Sequence, residues 1–141
     1  MSLELASIEK ALASYEKAVK FIKNNKKMSL LDSDDQNIIK AGVIQNFEFT
    51  FELCWKFMKR WLMINHTDST YIENASKKEL FRISAEYGLI DDVEKWFLYS
   101  NARNKSSHIY DNEIAEDVFS VSVDFLEDAT LFYKQLEKRN D

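Results

Sequence analysis

The chain has 141 residues and a formal charge of −5, enough for one domain that buries about two thirds of the surface its unfolded form exposes. Apolar residues make up 45% and charged residues 30%, which excludes a disordered or membrane-spanning chain, and the acidic balance argues against coating nucleic acid by bulk electrostatics while leaving room for a small local RNA site. Two glycines and no proline are too few for the turns of an all-β fold and for the glycine loops of P-loop or Rossmann nucleotide sites, so a mostly helical protein is expected.

Leu5, Ile8, Leu12, Tyr15, Val19 and Ile22 recur at spacings of three and four, which predicts a first helix with one narrow apolar seam. Residues 24–27 (Asn-Asn-Lys-Lys) and 32–35 (Asp-Ser-Asp-Asp) bracket a polar connection, with Ser33 or Asp34 as the expected cap of the next helix. That helix is long, expected from about residue 36 to residue 65. Ile39, Val43, Phe47, Phe51, Cys54, Met58 and Trp61 fall on one face and Phe49, Leu53 and Phe57 on a second. Glu48, Glu52, Lys56 and Lys59 form the polar strip between them, with Glu52 and Lys56 as a favourable i,i+4 pair. Two apolar faces mean two buried contacts, either both in a bundle core or one of them shared with another subunit.

Residues 66–70 read as a loop. Ser76 followed by Glu79 reads as a capping box that starts a short helix, and Gly88 stops it. Asp91 or Asp92 then caps a further helix carrying Val93, Trp96 and Phe97 and running toward Ser107. A last helix, from about 113 to 138, places Ile114, Val118, Val121, Phe125, Ala129, Phe132 and Leu136 at helical spacing. The expected fold is all-α: one domain, an up-and-down antiparallel bundle of four to five helices.

Such a bundle says little about chemistry by itself. Cys54 lies on the apolar face of the long helix and reads as a small core residue, and His66 reads as a surface histidine. Cys54, His66 and His108 have no zinc-ligand spacing and Cys54 has no disulfide partner, so no metal or cofactor is expected and a reducing, cytoplasmic compartment is the default. The N-terminus lacks the basic start of a signal or transit peptide, and no apolar run approaches a membrane span.

Arg103-Asn104-Lys105-Ser106-Ser107-His108-Ile109-Tyr110 is different. A histidine near its ordinary pKa takes a proton from a ribose 2′-hydroxyl or gives one to a leaving oxygen, and a guanidinium stabilises the extra charge of the phosphorane. Five residues on an ideal helix turn through about 140°, so Arg103 and His108 share a face only if the helix ends or bulges near Ser106, or if a two-fold dimer gathers two copies of the segment. The alternative is a helix-terminal histidine with a capping arginine.

Arg103-Asn104-x-x-x-His108 resembles the signature of the HEPN superfamily, and its extension to Tyr110 is similar to the form in HEPN toxins encoded beside a minimal nucleotidyltransferase. The segment 44–56 (Ile-Gln-Asn-Phe-Glu-Phe-Thr-Phe-Glu-Leu-Cys-Trp-Lys), Gly88-Leu-Ile-Asp-Asp92 and Ser107-His-x-Tyr110 resemble, in the same order, the nucleotidyltransferase substrate-binding protein family. The chain departs from that pattern at Ser76-Lys77, where a proline is common. The resemblance implies a homodimeric helical bundle that partners a separately encoded minimal nucleotidyltransferase. It implies one of two roles. In one, the chain is the toxin of a toxin–antitoxin pair, a metal-independent endoribonuclease silenced by adenylylation. In the other, it is a non-catalytic substrate-binding subunit. Under the first, Arg103 and His108 are catalytic, Asn104 supports them, Tyr110 is the modification target and RNA is the substrate.

Overall fold

The computed structural model describes residues 2–140. Seven α-helices follow one another: α1 (Ala6–Ile22), α2 (Asn25–Ser29), α3 (Ser33–Asn65), α4 (Ser69–Asn74), α5 (Lys77–Glu86), α6 (Val93–Lys105) and α7 (Asn112–Lys138), with a single 3-10 turn (Ser106–His108) between the last two. In a chain without proline the punctuation falls to aspartates, one serine and, before α2, Asn24. Asp32, Asp68, Ser76, Asp92 and Asp111 each accept a backbone N–H in the first turn of α3, α4, α5, α6 and α7. A carboxylate there satisfies an orphan donor and opposes the positive end of the helix dipole.

α5 ends as its sequence demands. Gly88 takes φ +79°, and the N–H groups of Leu89 and Gly88 reach back to the carbonyls of Ser84 (2.9 Å) and Ala85 (3.0 Å). This pair of bonds is a Schellman ending, which needs a left-handed residue after the cap. It drops the fully buried Leu89 into the core.

Four helices, α1, α3, α6 and α7, make the bundle. Leu3 bonds Asn140 at 2.7 Å, Glu9 meets Tyr133 and Tyr15 meets the Ser122 carbonyl, so α1 and α7 run in opposite directions. Lys40 faces Glu116 while Phe47 faces Phe125, so α3 runs parallel to α7. Trp96 stacks on Phe51 and Arg103 reaches back to Glu48, so α6 opposes α3. The order is up, down, up, down. Phe125 sits at the centre, with Tyr15, Phe47, Phe51, Trp96 and Tyr99 around it at centroid distances of 4.7–6.3 Å, mostly edge to face, as aromatic quadrupoles prefer.

The all-α bundle agrees with the sequence, but the count of four to five helices is too low. The two extra helices, α2 and α4, are five and six residues long, too short to display a helical period. Residues 69–74, whose first two read as loop, form α4, held by the Asp68 cap and by Ile72, which is fully buried. α3 is capped by Asp32, not by Ser33 or Asp34, so it starts three residues before the expected point. Cys54 is fully buried, and burial pushes its thiol well above the ordinary range; a neutral thiol there is packing, not a nucleophile. His66 is half-buried between the rings of Tyr71 and Tyr87, with Nδ1 accepting from the Asp68 N–H at 3.0 Å.

Candidate functional site

The segment singled out by chemistry lies where α6 unwinds. Arg103 and Asn104 occupy its last turn, the backbone tightens into the 3-10 turn at Ser106, and His108 and Tyr110 follow before α7 begins. A helix end near Ser106 is one of the arrangements that the spacing required.

Arg103 is held from three sides. Its Nη1 donates to Glu48 Oε2 at 3.0 Å and to Ser106 Oγ at 3.1 Å, and its Nε lies 3.4 Å from Glu52 Oε1, an ion pair without hydrogen-bond geometry. Ser106 Oγ stands 2.6 Å from the same Glu48 oxygen and 2.7 Å from the Arg103 carbonyl. Its single proton goes preferentially to the carboxylate, because charge-assisted bonds are the stronger ones. Nη2 has no hydrogen-bond partner among the described residues and is not buried. The clamp thus fixes the guanidinium through Nη1 and Nε and leaves Nη2 without a protein partner among the described residues. Arg103 also lines a groove of about 390 Å³ with Gln45, Glu48, Phe49, Glu52, Leu53 and Lys56.

His108 and Tyr110 are exposed. The Tyr110 hydroxyl lies 3.5 Å from His108 Nδ1, with the rings edge to face at 5.9 Å, and Tyr110 is 83% exposed. Asn104 is exposed, and its carbonyl accepts from Ser107 Oγ at 3.3 Å. Among the described residues no hydrogen bond or ion pair joins Arg103 to His108. One chain therefore places the four residues in one short segment without closing them into one constellation.

Glu48 and Ser106 were not singled out as site residues, and the expected Glu52–Lys56 pair does not form. Glu52 instead receives Trp55 Nε1 at 3.0 Å and faces Arg103. The signal available was two glutamates at i,i+4 among the aromatics of 44–56, but their partner lies on another helix. Among the described residues no group of three or more His, Cys, Asp or Glu is arranged to hold a metal ion, and no helix is long and apolar enough to cross a membrane.

The bundle and this segment define a small helical protein that displays an arginine and a histidine at the end of one helix. A family model described as nucleotidyltransferase substrate binding protein like matches residues 3–138. A curated relative from Haemophilus influenzae, named probable ribonuclease HepT, is 36% identical over 138 residues, which cover 98% of this chain and 94% of the relative. A solved structure from the same species is described as revealing the fold of a substrate binding domain of a nucleotidyltransferase. It superposes with a TM-score of 0.91 at 34% identity and covers 95% of this chain and 99% of its own. A crystal structure from Thermus thermophilus, at 24% identity and a TM-score of 0.72, covers 92% of this chain and 98% of its own, and shares the fold. The chain belongs to the nucleotidyltransferase substrate-binding-like family.

Proposed function

We propose that this protein is a ribonuclease that works with a nucleotidyltransferase, with Arg103 and His108 as its catalytic pair. The observation that carries the reading is the clamped guanidinium: Glu48, Glu52 and Ser106 hold Nη1 and Nε, Nη2 keeps its donors free of protein partners among the described residues, and Arg103 lines a groove. A cation fixed in this way meets a phosphate without reorganising. His108, exposed and two residues from Tyr110, takes the proton of a ribose 2′-hydroxyl. The 2′-oxygen then attacks phosphorus, the bond from phosphorus to the 5′-oxygen breaks to leave a 2′,3′-cyclic phosphate, and the departing 5′-oxygen takes the proton that the imidazolium now carries. Asn104 supports the pair from the last turn of α6.

Because Arg103 and His108 do not meet within one chain, the working enzyme is a homodimer in which the two segments face one cleft. Tyr110, the most exposed tyrosine of the chain, is the target of the partner transferase: its oxygen attacks the α-phosphorus of a nucleoside triphosphate and pyrophosphate leaves. The added phosphate and bulk then repel and block the RNA phosphate. Together these make a toxin and its silencing partner. The second reading, a substrate-binding subunit without catalysis, is supported by the description of the Haemophilus influenzae structure.

Incubation of unmodified protein with single-stranded RNA in excess chelator, beside His108→Ala, separates the two. Cleavage by the wild type alone is the expected result. Equal inactivity of both moves the assignment to the binding subunit.

A further inference from the structure

The protein is acidic, yet its cations are not evenly spread. Lys77 of α5 lies 4.9 Å and Lys56 of α3 5.9 Å from the Trp55 ring. One residue further on, Lys78 lies 5.6 Å from the Phe97 ring of α6, with Arg82 at 5.4 Å. Two half-buried rings, each under a pair of cations, therefore sit on one face built by α3, α5 and α6. The face joins the Arg103 site directly: Lys56 lines the same groove as Arg103, and Glu52 bridges the Trp55 indole to the Arg103 guanidinium. Phe97 and Asn104 are seven residues apart on α6 and so lie on one stripe of that helix.

Three carboxylates of this region are turned to other partners, and two border the cations. Glu48 and Glu52 are taken up by Arg103, Ser106 and Trp55. Glu79 faces Tyr71 of α4 and helps to hold that phenol above its ordinary value. Glu86 and Glu94 lie one turn beyond Arg82 and one turn before Phe97, on the same helix faces, and so mark the acidic margin of the cationic surface.

We propose that this face is a docking track for single-stranded RNA, leading a strand to the Arg103 groove, with Trp55 and Phe97 as stacking platforms and Lys56, Lys77, Lys78 and Arg82 as phosphate contacts. The proposal rests on the ribonuclease reading for its purpose and on the cation–aromatic arrangement for its location. Single-stranded nucleic acid is bound by this combination of a cationic path and aromatic faces that accept any base. A lysine lying over a ring is released to a phosphate when a base takes its place, so the stack and the ion contact form together. An acidic protein surface would be met by the lysines alone and would leave the rings unused.

The test is equilibrium binding of a labelled single-stranded oligouridylate, followed by fluorescence anisotropy across a salt series. It is done in a His108→Ala background so that the RNA stays intact, and cleavage of the same RNA is followed with His108 present. Lys77→Glu/Lys78→Glu is expected to weaken binding about ten-fold or more and to reduce the log–log salt slope by about 1.4, since each phosphate contact on a single strand contributes about 0.7. Phe97→Leu is expected to weaken binding about ten-fold at an unchanged salt slope, as loss of a stack does. Lys17→Glu/Lys20→Glu on exposed α1 positions makes the same charge change elsewhere and should leave binding within about two-fold; an equal loss there overturns the track in favour of overall charge. RNA bound and cut normally by the Lys77/Lys78 variant overturns the track and leaves the ribonuclease standing. Patch-dependent binding without cleavage in either background supports the track and removes the ribonuclease. Absence of binding by every form overturns the track, as does a Lys77/Lys78 variant that keeps RNA and loses only a co-expressed nucleotidyltransferase.

Discussion

Arg103 presents one edge of its guanidinium to water because Glu48, Glu52 and Ser106 have taken the other groups. The arrangement lowers the net charge of the site in return for fixing its direction. Arg103 is 31% exposed and both glutamates 29%, so the pairs themselves contribute little to stability, about 0–1 kcal/mol each. Glu48→Gln keeps the shape and removes the charge that orders Nη1 and Ser106 Oγ. It is expected to shift unfolding free energy by about 1 kcal/mol or less while lowering RNA cleavage by about ten- to a hundred-fold through misplacement of the guanidinium. Unfolding curves beside single-turnover cleavage measure both, and unchanged cleavage would remove Glu48 from the mechanism. This contact was not legible beforehand: Glu48 and Arg103 are 55 positions apart, and nothing local in 44–56 says that both glutamates turn to another helix and neither to a lysine.

Two core phenols add a pH dependence at the same scale. Burial raises Tyr15, whose hydroxyl donates to the Ser122 carbonyl, and burial followed by the Asp128 hydrogen bond raises Tyr99. The unfolded chain releases such protons near the ordinary value of 10.0, while the folded chain keeps them to higher pH. Over that interval the unfolded state binds fewer protons than the native one, so unfolding free energy falls as pH rises. The buried Cys54 thiol acts in the same direction from its ordinary value of 9.0, so stability is full below pH 9.0 and declines more steeply once the phenols join above pH 10.0. Urea midpoints across this range should fall less steeply for Tyr15→Phe than for the wild type, since that variant has lost one of the linked groups; parallel slopes would exclude Tyr15 from the linkage.

At the scale of elements, the two glycines make opposite demands. Gly88 holds φ +79° in the ending of α5, and a Cβ there would lie 2.9 Å from Arg139 Nη2. The arginine end can move aside, but the backbone angle cannot change without losing the ending, so Gly88→Ala should cost about 1–2 kcal/mol. Gly42 lies inside α3 with nothing within 4 Å of its missing Cβ, so Gly42→Ala should stabilise by about 0.5–1 kcal/mol. Thermal melts of the two variants should move in opposite directions, and a shared direction would refute the backbone argument. The ending at Gly88 and the cap at Ser76 were readable, and that at Asp92 as one of two candidates, because each is decided within four residues. α4 was not readable: its single buried apolar residue, Ile72, shows no period, and a helix of six residues owes its existence to packing instead of propensity.

For the whole molecule the question is what covers α3. Its 33 residues make a rod about 50 Å long, buried on the side that meets α1, α6 and α7. The outer stripe carries Ile38 at 67% exposure and Phe49 at 60%, with exposed Ala41 and Gln45 between them. Phe49 lines the Arg103 groove, and a second groove on the same helix is lined by Ala41, Ile44 and Ile109. A standard interface takes about 800 Å² from each partner, roughly a tenth of the 8508 Å² of this chain's accessible surface; the stripe from Ile38 to Phe49, about 17 Å long, would supply its apolar centre and the flanking polar surface its rim. A two-fold axis across it would bring the Arg103 groove of one subunit toward the His108 segment of the other, the contact that one chain does not make. Sedimentation at micromolar concentration should therefore give the dimer mass. Phe49→Lys, which places a charge in the stripe while leaving the buried face of α3 intact, should give a monomer with a near-native melting temperature and no RNA cleavage. A wild-type mass that stays monomeric at every concentration would contradict the dimer. A monomeric Phe49→Lys variant that still cuts RNA would show instead that each chain completes its own site, with Arg103 and His108 drawn together only when the phosphate binds.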